Sequence, residues 1–157
     1  MPAGVASFDQ NKVGSPEVYF GAMRNEYLEN ASPGETGPHV LAFPKSVKPN
    51  ALDLEGSWNI QEEYAEATAA GAKIRFFYNS KDVYFVASSD KPVRIKVTRD
   101  GGQALGAERG ADVDADGYAT IQADRLYKLI QGKDYGAHIL EIQVEGKGLQ
   151  AYTFTFG

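Results

Sequence analysis

AKIRFFYNSKDVYFVASSDKPVRIKVTRD, residues 72–100, alternates apolar and polar side chains in three successive runs. AKIRFFYN (72–79) places Ile74, Phe76 and Tyr78 on one face of an extended chain. DVYFVAS (82–88) follows the apparent turn NSKD, with Val83, Phe85 and Ala87 on one face and Tyr84 and Val86 on the other. PVRIKVTRD (92–100) points Val93, Ile95 and Val97 inward and Arg94, Lys96 and Thr98 outward. A repeat of two is the signature of strands buried on one face only. Asp100-Gly101-Gly102 then supplies the residues a tight turn requires.

The same pattern returns near the C-terminus. HILEIQVEG (138–146) sends Leu140, Ile142 and Val144 inward, and LQAYTFTFG (149–157) sends Tyr152, Phe154 and Phe156 inward. VEGKGLQ is expected to join these two strands as a hairpin. Loss of the last seven residues would strip large core side chains, at roughly 3–5 kcal/mol each. EEYAEATAAGA (62–72) has no convincing helical stripe and is read as strand with an irregular end. DRLYKLI (124–130) fits either a short strand or one helical turn. Half-buried strands linked by short turns predict an all-β fold of two packed antiparallel sheets.

Residues 1–50 differ in being rich in Pro, Gly, Asn and Ser. ASPGETGP (31–38) and KSVKPNALD (45–53) read as loops, with a short strand at HVLAF (39–43) between them. SPEVYFGAMRNEYL (15–28) is expected to open with a helical turn capped by Ser15, with Pro16 first and Glu17 in the first turn. The whole is an irregular N-terminal arm of one domain spanning 15–157, preceded by a linker at 1–14.

Composition narrows the function classes. With 157 residues, 43% hydrophobic and 24% charged, the chain holds one well-filled core. A net charge of −5 with dispersed Lys and Arg argues against nucleic acid as a partner. No run approaches the length of a membrane helix, so no direct membrane insertion is expected. MPAGVASFDQ (1–10) lacks the basic flank and apolar segment of a signal peptide. There is no cysteine, which removes thiol chemistry from this chain.

Among chemically interesting residues, GADVDADGYAT (110–120) stands out, because Asp112, Asp114 and Asp116 alternate before Gly117. That spacing opens a calcium loop, yet position twelve falls on Ala123 where a bidentate Glu is needed. The alternatives are an exposed acidic turn and a calcium site of another kind. His39 and His138 sit beside no nucleophile, and His138 is expected to cap or edge its strand. Glu62, Glu63 and Glu66 could support acid–base work on a glycosidic bond but read better as a solvated surface. Trp58, Tyr78 and Tyr84, supported by Arg94, are the candidates for stacking against a sugar ring. For Trp58 the competing reading is a place at the edge of the core.

Four segments carry a resemblance: SPEVYFG (15–21), LEGSWNIQEEYA (54–65), DVDADGYATIQADRLYKLI (112–130) and AYTFTFG (151–157). Together with HILEIQVEGKG (138–148), they resemble the domain that follows the thioredoxin domain in DipZ-like thiol-disulfide interchange proteins. The resemblance implies a jelly-roll-like antiparallel β-sandwich akin to carbohydrate-binding modules, in a periplasmic or otherwise extracytoplasmic protein. It implies a non-catalytic accessory module, with a covalently preceding thioredoxin-like domain as partner and the redox cysteines in that domain. FDQ (8–10) would then belong to the connecting linker. The resemblance supplies no catalytic residues and no required cofactor. Two roles follow, a module for a glycan client, or a scaffold that positions the thioredoxin domain and its protein client.

Overall fold

The computed structural model describes residues 13–157, so most of the 1–14 linker reading lies outside the described residues. The elements are β1 (Val18–Tyr19), β2 (Gly37–Leu41), β3 (Leu52–Ile60), β4 (Ala65–Ala67) and β5 (Lys73–Ser88). They continue with β6 (Val93–Arg99), a 3-10 turn (Gly106–Glu108), β7 (Tyr118–Ile121), β8 (Arg125–Val144) and β9 (Gln150–Phe156). All strand pairings are antiparallel.

Two long strands organise the rest. β5 and β8 pair from Lys73↔Gln143 to Ala87↔Arg125, with register shifts at Ser80/Asp82 and Val83/Tyr84. Each strand therefore serves two sheets, turning from one to the other where its register breaks. In the first sheet, the start of β3 (Leu52–Glu55), the start of β5, the end of β8, β6 and β7 lie side by side. In the second, the order is β2, the end of β3, β4 and β1 together, β9, the end of β5 and the start of β8. The path β5–β3–β4–β9–β5 closes a ring, giving an all-β, jelly-roll-like sandwich.

The inner faces form a single core. Ile74, Phe76, Tyr78, Val83, Phe85, Ala87, Val93, Ile95, Val97, Leu140, Ile142 and Val144 are all buried, as their alternation predicts. Phe154 lies 5.2 Å from Phe20, 5.1 Å from Phe85 and 6.0 Å from Phe76, ring centre to ring centre. Phe156 adds near-parallel contacts with Phe76 and Tyr78. These contacts join the two sheets through tilted and offset rings, the geometry aromatic pairs favour.

Residues 13–51 run mainly over the outside. Ser15 donates to Asn50 Oδ1 at 2.8 Å and accepts from the Asn79 amide at 2.8 Å, pinning the entry of the arm to the bend of β5. Further along, Arg75 bonds Asp53 at 3.0 Å, donates to the Pro44 carbonyl and lies 4.4 Å from the Phe43 ring centre. Asn30 bridges both the amide and the carbonyl of Leu54. The arm thus crosses a polar, ion-paired strip while Val18, Phe20 and Leu28 enter the core.

Four local expectations are corrected. NSKD (79–82) is a bulged bend within β5 and not a turn between strands; the Lys81 and Asp82 amides donate to Gly157 there. SPEVYFG begins no helix, because Val18 and Tyr19 pair with Phe154 and Thr153 of β9. VEGKGLQ is no hairpin: β8 and β9 pair with other strands and the segment crosses between sheets. Tyr152 does not enter the core. β9 slips by one residue opposite Val86/Ala87, so Ala151 and Phe154 both face inward while Tyr152 is only half-buried. DRLYKLI resolves as strand, forming the start of β8.

The slip makes neighbouring aromatics unequal. Phe154→Ala should cost about 3–5 kcal/mol, whereas Tyr152→Ala should cost about 1 kcal/mol, the worth of its ring contact with Tyr64. Urea unfolding of the two variants measures the difference, and equal losses would contradict the bulge.

Candidate functional site

The sequence-based sugar platform does not assemble. Trp58 has no exposed surface, and its indole Nε1 donates to the Glu55 carbonyl at 2.8 Å. Tyr78 is 1% exposed, and burial pushes its hydroxyl up to about 12. Both belong to the inward parity of their strands, so neither can meet a ligand. Tyr84 is half-buried on the outer face of the second sheet, its hydroxyl 3.3 Å from Asp82 Oδ2. Arg94 is exposed on β6 in the first sheet, its guanidinium 3.9 Å from the Tyr118 ring centre. The four side chains occupy three separate environments.

The acidic loop is structural stitching. Asp112 takes Arg125 Nη2 at 2.9 Å and the Lys128 amide at 2.7 Å, tying the loop to the start of β8. Arg125 holds the Asp112 carboxyl below its ordinary value of 3.8, with the Lys128 amide assisting against burial. Asp114 accepts from the amides of Asp116 and Tyr118, both at 2.9 Å, and the Tyr118 bond lowers its carboxyl in the same way. Asp112, Asp114 and Asp116 do not converge, and among the described residues no group of three His, Asp or Glu is placed to hold a metal. Tyr127 is buried next to this loop, accepting from the Gln122 amide and donating to the Ala123 carbonyl. His138 lies inside β8, paired with Tyr78, and not at a strand end; its Nδ1 lies 2.6 Å from Asp100 Oδ2.

A different set of residues does come together. Tyr19, Arg24, Glu62, Glu63, Tyr152 and Thr153 line an open cleft of about 280 Å³ on the outside of the second sheet. Its floor is built by β1 and β9, where Tyr19 pairs with Thr153. Its wall is the 61–64 turn, held by the Ala22 amide on Gln61 and the Met23 amide on Glu62. Gly21 makes that approach possible: any side chain there would overlap the backbone of Glu62 and Glu63. Arg24 lies 3.9 Å from the Tyr19 ring centre, and Tyr64 packs 5.3 Å from Tyr152. Neither Arg24 nor the two glutamates is engaged in an ion pair among the described residues. Aromatic faces, two carboxylates and a guanidinium thus share one concave surface.

Sequence reasoning had these residues in other roles. The sequence reading puts Tyr152 in the core and Glu62 and Glu63 on a solvated surface, and places Tyr19 at no site. The usable signal was Gly21 after an alternating VYF segment, a position where a backbone must pass close.

The family model described as "Thioredoxin like C-terminal domain" matches residues 15–157. No curated protein matches the chain. Among solved structures, a family two carbohydrate esterase from Clostridium thermocellum in complex with cellohexaose is similar at 17% identity, with a TM-score of 0.48. An active-site mutant of that esterase gives the same values, and both alignments cover 60% of this chain and 27% of the esterase chain.

The depressed carboxyls have a definite sign. A carboxylate whose folded value lies below its unfolded value stabilises above the unfolded value and loses that contribution as pH falls through the folded one. Asp112→Ala should therefore cost about 1 kcal/mol at neutral pH, a deficit that vanishes between about pH 5 and pH 2. Denaturation curves across that range measure it; a deficit that persists in acid would contradict the ion-pair account. Added calcium should leave the thermal midpoint unchanged.

Proposed function

The chain belongs to the family of thioredoxin-like C-terminal domains, and on that premise we propose that it is a non-catalytic accessory module that binds carbohydrate. The binding surface is the cleft of Tyr19 and Tyr152, and the observation that carries the reading is the convergence there of Tyr152, the unpaired Glu62 and Glu63, and Arg24 stacked on one face of Tyr19. A sugar ring presents an apolar face that stacks on tyrosine and an equator of hydroxyls that donate and accept. Carboxylates accept from those hydroxyls and a guanidinium donates to them, in bonds stronger than neutral ones. The module sits outside the cytoplasm, attached to a thioredoxin-like domain that carries the thiol chemistry, and holds that domain near glycan-bearing surfaces.

A scaffold that works through apolar contact is the weaker reading. Of the exposed large apolar side chains Val13, Met23, Val40 and Leu126, Met23 lines the cleft itself, and Val40 and Leu126 lie on β2 and the start of β8, at opposite edges of the second sheet. Val40 and Leu126 form no shared patch of the kind a protein partner uses.

Isothermal titration with bacterial cell-wall and plant polysaccharide fragments tests the proposal. Binding is expected, with Tyr19→Ala and Tyr152→Ala each weakening it by about tenfold or more while circular dichroism stays unchanged. Binding untouched by both substitutions, or no binding by any fragment, overturns it. Gly21→Ala should abolish binding by displacing the 61–64 turn.

A further inference from the structure

A second cleft, of about 410 Å³, lies at the next stretch of the same surface, lined by Glu66, Asp90, Lys91, Lys147 and Gln150. The two clefts share β9: Thr153 and Tyr152 line the first and Gln150 the second. At about 3.3 Å per strand residue, Gln150 and Thr153 are about 10 Å apart, more than a single sugar ring spans. Glu66 pairs with Gln150 across β4 and β9, and Tyr64, two residues before Glu66, packs on Tyr152. Tyr64 and Tyr152 therefore stand at the join.

Gln150 is held in a fixed orientation at that join. Its Oε1 accepts from Ser88 Oγ at 3.1 Å and from the Tyr152 hydroxyl at 3.3 Å. With the oxygen doubly engaged, the amide Nε2 keeps its two donors for the cleft. A donor so anchored loses little freedom on meeting a ligand. Lys91 and Lys147 enter no ion pair among the described residues and add further donors at the far end.

Resting on the carbohydrate reading, we infer that the two clefts are one groove and that its ligand is an extended oligosaccharide rather than a single sugar. Tyr19 and Tyr152 stack the first rings, Gln150 bonds hydroxyls at the middle, and Lys147 reaches the rings beyond. Both clefts are open, and β9 runs from one to the other beside β1 and β4.

The experiment is a length series. Wild type, Gln150→Ala and Lys147→Ala are titrated with β-1,4-linked glucose and N-acetylglucosamine oligomers from dimer to hexamer, with thermal unfolding as the control for folding. Wild-type affinity should rise about tenfold or more from dimer to hexamer. Gln150→Ala and Lys147→Ala should flatten that rise. Equal affinity for dimer and hexamer, still sensitive to Tyr152→Ala, would overturn the groove and leave the single-cleft reading standing. Failure of every oligomer to bind would overturn both.

Discussion

The one-residue slip of β9 against the end of β5 controls both halves of this molecule. Strict alternation would bury Tyr152 together with Phe154 and Phe156. The slip instead brings Ala151 and Phe154 inward and leaves Tyr152 on the outer surface. Inward, Phe154 joins Phe20, Phe76 and Phe85 in the contacts that hold the sheets together. Outward, Tyr152 meets Tyr64 and lines the cleft. A bulge commonly serves to re-aim a side chain in this way. The cost is modest, since β9 stays paired with β1, β4 and β5 on both edges.

The cleft also depends on how the chain returns to that surface. β1 is only two residues long, and it gains its place by pairing with β9 over Phe154 and Thr153. Gly21 then lets the following backbone lie against the 61–64 turn, which fixes Glu62 and Glu63 beside Tyr19. Core and site are therefore coupled through one strand and one glycine. The large inward aromatics fill the core, and Tyr152 and Thr153 beside them line the cleft.

Alternation made the strand faces legible: every inward residue assigned in β6 and along both halves of β5 is buried. What alternation cannot report is where a strand continues through turn-like residues. Asn79, Ser80, Lys81 and Asp82 have turn composition, yet Ser15, Gly157 and the partner strand β8 supply their hydrogen bonds and carry the chain through. The end of β8 and the start of β9 look like a hairpin because only local spacing was visible. Long-range pairing to β5 and β6 decides otherwise. The site was missed for the same reason. Trp58 and Tyr78 attract attention as residue types, but their parity buries them. Tyr152 has the parity of a core residue but is the extra residue of a bulge in β9 opposite Val86 and Ala87, which only the pairing with β5 reveals.

Saccharide binding at the outward face of β9, from Gln150 to Thr153, is tested by amide chemical-shift mapping during titration with a β-1,4-linked hexasaccharide. The largest shifts are expected at Tyr19, Glu63, Tyr64, Gln150 and Tyr152, with the amides of β6 and β7 unmoved. Shifts centred instead on the acidic loop at Asp112–Asp116, or around Arg94 on the first sheet, would contradict it.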